Sequence, residues 1–124
     1  MATDGESVTM SYDEKNDIFV LQKDFTKDET FKGNLDAGDL VLDISSKGNI
    51  RGIEIINATH FLREFGITPE MMRSASKGNF TAQVRTNGIT ICITLMADQQ
   101  IHPAIIVVPQ EIPGRDRAER NHNL

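Results

Sequence analysis

One stretch constrains the fold more than any other: Leu40 to Gly66, L-V-L-D-I-S-S-K-G-N-I-R-G-I-E-I-I-N-A-T-H-F-L-R-E-F-G. Leu40, Leu42 and Ile44 alternate with Val41 and Asp43, the two-residue period of a strand. Lys47-Gly48 supplies a turn, because glycine tolerates positive φ. A two-residue loop there pairs Leu42 with Ile53 and Leu40 with Ile55, and a four-residue loop from Ser46 to Asn49 gives the same pairing. The predicted register puts one apolar face on the hairpin, broken only by Arg51. Asp43 and Glu54 fall on the opposite face. Asn57 is then placed to cap a helix that Gly66 ends. Ala58, Phe61, Leu62 and Phe65 give that helix one apolar side.

A second hairpin is expected in the other half. Asn87-Gly88 is a strong turn signal, and a two-residue loop there pairs Val84 with Ile91, Ala82 with Ile93 and Phe80 with Leu95. The same register sets Cys92 opposite Gln83. Upstream, Val8 to Tyr12 and Ile18 to Gln22 read as strands around the polar turn Asp13 to Asp17. Residues 23–29 read as a charged loop, Thr30 to Leu35 as a weak strand and residues 36–39 as a turn. Thr68-Pro69 starts a short helix, with threonine as cap and proline in the first turn. Ala104 to Val108 reads as a strand closed by Pro109. The expected fold class is α+β: mostly antiparallel β-meanders joined by one or two short helices. Residues 1–112 are expected to form a single β-rich domain, divided at 66/67 into a meander plus helix and a second meander. Residues 113–124 read as a flexible tail.

The 124 residues suffice to bury a core in one domain. The net charge of −5 is uneven: residues 1–66 hold 13 acids and 7 bases, whereas residues 67–124 hold 5 acids and 6 bases. An acidic chain without a basic stripe is a poor nucleic-acid binder, since phosphate contacts dominate that affinity. One cysteine, Cys92, excludes an internal disulfide and fits a reducing compartment. Met1 to Ser7 has no signal-like region, and Ala104 to Val108 is too short an apolar run to span a bilayer. The expected location is the cytoplasm, with no membrane association.

Tyr12, Asp13, Asp17, Ile18, Phe19 and Val20, then Leu42, Asp43 and Gly48, then Gly52-Ile53-Glu54-Ile55 and Ala58 together resemble a small prokaryotic family, domain of unknown function 2283. Its members resemble Y-D-x-x-x-D-x-L-Y-I, V-D-Y-D-x-x-G and G-I-E-I-L-x-A-S. Here Phe19 replaces the usual tyrosine, Ser45 a frequent second aspartate and Thr59 a serine. The resemblance covers about residues 10–62. It implies a compact β-meander plus helix and no established activity.

Four acids recur in those motifs: Asp13, Asp17, Asp43 and Glu54. Converging, they could hold a divalent cation, which needs several oxygens at one point. Their spacing also suits turn-forming side chains and a solvated sheet face, and the turn lacks the spacing of a calcium loop. His60, His102 and His122 show no metal-ligand spacing. Cys92 lies mid-strand with no helix start to activate it. No glycine-rich phosphate loop exists, and Gly52 reads as a place where Asp43 or another chain approaches closely. No catalytic residue, cofactor or resident metal is expected. The leading reading is a non-enzymatic protein-interaction or regulatory module, and the alternative is a small-molecule or metal-dependent enzyme using the four acids. Self-association, as a homodimer, is expected through Ile105, Ile106, Val107 and Val108, because the five consecutive apolar residues from Ala104 to Val108 ask for cover on both faces. A further protein partner is the other interaction considered.

Overall fold

The computed structural model describes residues 7–109, so the expected tail over 113–124 and His122 lie outside the described residues. Ten elements follow in order: β1 (Val8–Asp13), β2 (Ile18–Lys23), β3 (Phe31–Ala37), β4 (Leu40–Ser45), β5 (Ile50–Ile56), α1 (Ala58–Arg63), α2 (Pro69–Ser74), β6 (Lys77–Arg85), β7 (Gly88–Ala97) and β8 (Gln100–Pro109). Antiparallel strands dominate, and the two helices have six residues each.

Five strands form one sheet in the order β1-β2-β5-β4-β3, and three form another in the order β6-β7-β8. The second sheet is the simple meander expected. The first departs from one: β3-β4-β5 is a meander, but β2 pairs with β5. The chain leaves β2 through residues 24–30 and crosses to the far edge. This non-local pairing leaves no short-range trace in the sequence.

The central hairpin has the predicted register. Leu42 lies opposite Ile53 and Leu40 opposite Ile55. A bulge between Asp43 and Ile44 then places Ile44 opposite Ile50, and beside it Arg51 is buried. Ile53 also faces Leu21 across β5 and β2, so three aliphatic side chains form one row of the core. The second hairpin differs from expectation. Its loop is Thr86-Asn87, with Arg85 opposite Gly88, and Ala82 lies opposite Ile91 rather than Ile93. Neither loop residue has positive φ. Gly88 is instead a strand residue pressed against β8: a Cβ there would stand 2.7 Å from the Val108 carbonyl oxygen. The shift is by two residues, so the inward set is preserved. Cys92 consequently faces Thr81 rather than Gln83.

The inner faces meet in one buried cluster that includes Phe19, Leu21, Leu42, Ile53 and Ile55 from the first sheet and Phe80, Ile91, Ile93 and Leu95 from the second. β1 and β2 contact β6. At Gly78 an added Cβ would meet Leu21 Cδ2 and Met10 Sδ at 2.9 Å, so glycine lets the sheets close there. α1 rests on β5 and α2 on β7.

Helix α1 ends as expected. Gly66 has φ +75°, its N–H donates to the Arg63 carbonyl and the Ile67 N–H donates to the Leu62 carbonyl. That is a Schellman closure with Ile67 buried beneath it. Thr68 caps α2, its hydroxyl accepting from the Met71 N–H at 3.2 Å. Asn57, expected as the cap of α1, has φ 55° and makes no side-chain cap. A carboxylate from elsewhere in the chain does that work.

Candidate functional site

The four acids separate into two pairs. Asp13 closes the β1–β2 turn by accepting from the Asn16 backbone N–H at 3.2 Å and from its side-chain amide at 2.8 Å. These bonds from Asn16 lower the Asp13 pKa. Asp17 sits in the same turn with φ 57°. Its Oδ1 accepts from the Tyr12 hydroxyl and the Thr59 hydroxyl, both at 2.8 Å, and from the Thr59 N–H at 3.1 Å. Asp17 thus supplies the side-chain cap that the N-cap residue Asn57 does not, from 42 residues upstream of Thr59 in sequence. Partial burial pushes its pKa up, but the Tyr12 and Thr59 hydrogen bonds outweigh that and the net shift is downward. Tyr12 packs its ring against Phe19 at 6.4 Å between centroids.

Asp43 and Glu54 lie on the outer face of the five-stranded sheet. Asp43 is opposite Gly52, and Glu54 is flanked by Val20 and Val41. Gly52 does what its position suggested. A Cβ there would stand 2.6 Å from both Asp43 Oδ2 and Gln22 Oε1, so glycine admits both side chains over the strand. Asp43 Oδ1 accepts from the Asn34 amide. The four acids therefore share no common pocket. Among the described residues, no three or more His, Cys, Asp or Glu side chains gather where they could hold a metal ion. His60 is exposed on α1, and His102 Nε2 lies 3.3 Å from the Ala97 carbonyl.

The strongest polar constellation is one that local reading passes over. Glu29, in the loop read as merely charged, is buried together with Arg51 and Ser45. Arg51 Nε donates to Glu29 Oε1 at 2.9 Å, and its Nη2 lies 2.8 Å from the same oxygen. Glu29 Oε2 accepts from the Ser45 hydroxyl and the Asn49 amide, both at 2.7 Å. The Thr26 N–H adds a bond of 3.0 Å to Oε1. These donors, led by Ser45 and then the Thr26 backbone, hold the Glu29 carboxyl far below the usual carboxylate range. The network ties the β2–β3 loop to the tip of the β4–β5 hairpin. Its one visible signal in the sequence is Arg51, the polar interruption of an otherwise apolar face.

The interface residues divide by face. Ile106 and Val108 are buried in the core, whereas Ile105 and Val107 are 61% and 67% exposed. Strand β8 is longer than the aliphatic run, and Ile101 and Pro103 continue its exposed face. β8 is an edge strand, with β7 on one side. Near this edge lies an apolar groove of about 390 Å³, whose walls include Leu40, Phe61, Ile106 and Val108.

Among the described residues, no helix is long and apolar enough to cross a membrane. No solved structure matches the chain significantly. An uncharacterized protein of Methanocaldococcus jannaschii is 24% identical over 101 residues, covering 80% of this chain and 84% of that one. Residues 9–58, which run from the first strand of the larger sheet to the first residue of α1, match the family described as Protein of unknown function (DUF2283).

Proposed function

We propose that the chain is a non-enzymatic interaction or regulatory module that self-associates through β8, a homodimer being the simplest closed assembly. The observation that carries this is the outer face of that strand. Ile101, Ile105 and Val107 stand 62%, 61% and 67% exposed along it, with Pro103 and Pro109 exposed on the same side. Aliphatic side chains grouped on one face mark contact surfaces more often than scattered ones do. An edge strand also offers unpaired backbone groups for antiparallel addition, and no charged side chain on β8 blunts it. A two-fold contact would cover both copies with the same surface. A different protein strand is the other occupant this surface would take. The acidic balance of the chain supports a protein rather than a nucleic acid.

This reading treats residues 1–112 as one folding unit of α+β class, the helices being a minor part. It takes a reducing, cytoplasmic setting from the lone Cys92. The enzyme reading loses support from the acids. Asp13 and Asp17 are consumed in a turn and a helix cap, and Asp43 and Glu54 stand on a different part of the sheet.

Amide hydrogen exchange at two protein concentrations tests the proposal. Exchange along β8 is expected to slow as concentration rises while exchange in β1 stays constant. Equal exchange at β8 across a hundredfold dilution from tens of micromolar would contradict it.

A further inference from the structure

Strand β8 leaves β7 through the two-residue loop Asp98-Gln99, whose residues have φ of 55° and 63°. In such a loop the flanking pair, Ala97 and Gln100, exchanges both backbone hydrogen bonds. The register runs from that pair to Gly88 and Pro109 without a bulge. The even-numbered residues of β8 therefore bond to β7, and the odd-numbered ones turn their N–H and C=O groups to the free edge. The side chains of these odd-numbered residues form the exposed outer face. Pro103 and Pro109 belong to the set and have no N–H. Three donors remain on the edge: Ile101, Ile105 and Val107.

We infer that β8 pairs antiparallel with β8 of a second copy about a two-fold axis at Ala104 or Ile105, and that the two prolines select this register. The pairing specifies the self-association proposed above and rests on it. With the axis at Ala104, Ile101 and Val107 of opposite copies exchange bonds, and the Ile105 N–H donates to the Pro103 carbonyl. With the axis at Ile105, the two Ile105 residues exchange bonds. The Val107 N–H then donates to the Pro103 carbonyl and the Ile101 N–H to the Pro109 carbonyl. Either way, all three donors of each copy find an acceptor. One step further in either direction strands a donor. With the axis at Pro103, Val107 faces no residue of β8, and with the axis at Ile106, Ile101 faces none. The side chains agree with the backbone. In both registers the exposed Ile101, Ile105 and Val107 meet only aliphatic residues or proline across the junction. β8 carries no Asp, Glu, Lys or Arg, so an acidic chain can meet its own copy here without setting like charges opposite each other.

Disulfide trapping in the Cys92→Ser chain tests the register, with light scattering on the same samples at tens of micromolar reporting whether a dimer is present. Two cysteines bridge only when their Cα atoms lie within about 7 Å. A slip of two residues moves a facing pair apart by about 7 Å along the strand. On mild oxidation, either Ile105→Cys alone or a mixture of Ile101→Cys with Val107→Cys is expected to run at twice the monomer mass on a non-reducing gel. The first result places the axis at Ile105 and the second at Ala104. Ile101→Cys alone and Val107→Cys alone are expected to stay at the monomer mass. Trapping of either of these two alone would overturn the register. So would a dimer by light scattering that none of the variants traps. A Cys92→Ser chain that runs as a monomer would overturn the self-association itself, and the register with it.

Discussion

Asp17 caps the helix that begins at Ala58: its Oδ1 accepts from the Thr59 N–H at 3.1 Å and from the Thr59 hydroxyl at 2.8 Å. A turn between the first two strands thereby sets where α1 starts. Tyr12 completes the arrangement with a 2.8 Å bond to the same oxygen. The recurring Tyr, Asp and hydroxyl residues of the motif are thus explained by architecture.

Asp17→Ala should cost about 1–2 kcal/mol, the usual loss when a capping side chain goes. Thr59→Val should cost less, because the Thr59 N–H keeps its acceptor. Urea denaturation checks both. A loss in Thr59→Val that exceeds that in Asp17→Ala would contradict the capping assignment.

Acid should destabilise the fold in a defined direction. Asp13, Asp17, Asp28 and Glu29 all have lowered pKa values in the folded chain. The unfolded chain therefore binds protons first as pH falls. The stability these groups contribute is fully present above their ordinary carboxylate range and is lost as pH drops through that range toward the folded values. Glu29→Gln should lower stability near neutrality and flatten this acid dependence more than Asp13→Asn does. An acid limb as steep in Glu29→Gln as in the parent would show that Glu29 does not carry it.

Ile53→Asp should abolish folding. Ile53 is 1% exposed between Leu21 and Leu42, and an unpaired buried carboxylate costs several kcal/mol, comparable to a small domain's whole stability. Circular dichroism on heating reports the outcome. A cooperative melt close to the parent's would contradict the core assignment.

Two glycines should respond unequally to alanine. At Gly52 the atoms in the way are the ends of the Asp43 and Gln22 side chains, which can swing aside. At Gly88 the obstacle is the Val108 backbone carbonyl, so the β7–β8 pairing itself must shift. Gly88→Ala should cost about 1–3 kcal/mol and Gly52→Ala about 1 kcal/mol or less. The reverse order would show that Gly88 does not serve close strand approach.

Legibility in the sequence followed the range of the interaction. The Leu42–Ile53 register, the Gly66 closure and the Thr68 cap could be read because alternation, glycine and threonine signal locally. The second hairpin slipped by two residues because Gly88 serves a contact with β8, which no hairpin rule contains. The cap of α1 comes from Asp17 rather than the adjacent Asn57, and Arg51 finds Glu29 across 22 residues. Both partners are set by the β2–β5 pairing and the loop that follows β2, and local propensity does not specify either. At the expected interface, alternation along β8 sends Ile106 and Val108 inward and leaves Ile105 and Val107 outside.

Light scattering after size exclusion, at tens of micromolar, tests the central claim most directly. The parent chain should elute with twice the monomer mass of 13.8 kDa. Ile105→Lys and Val107→Lys, which alter exposed positions and leave the core intact, should shift it to the monomer without lowering the melting temperature of the monomeric unit. A parent that runs as a monomer at that concentration, with both variants indistinguishable from it, would contradict the account.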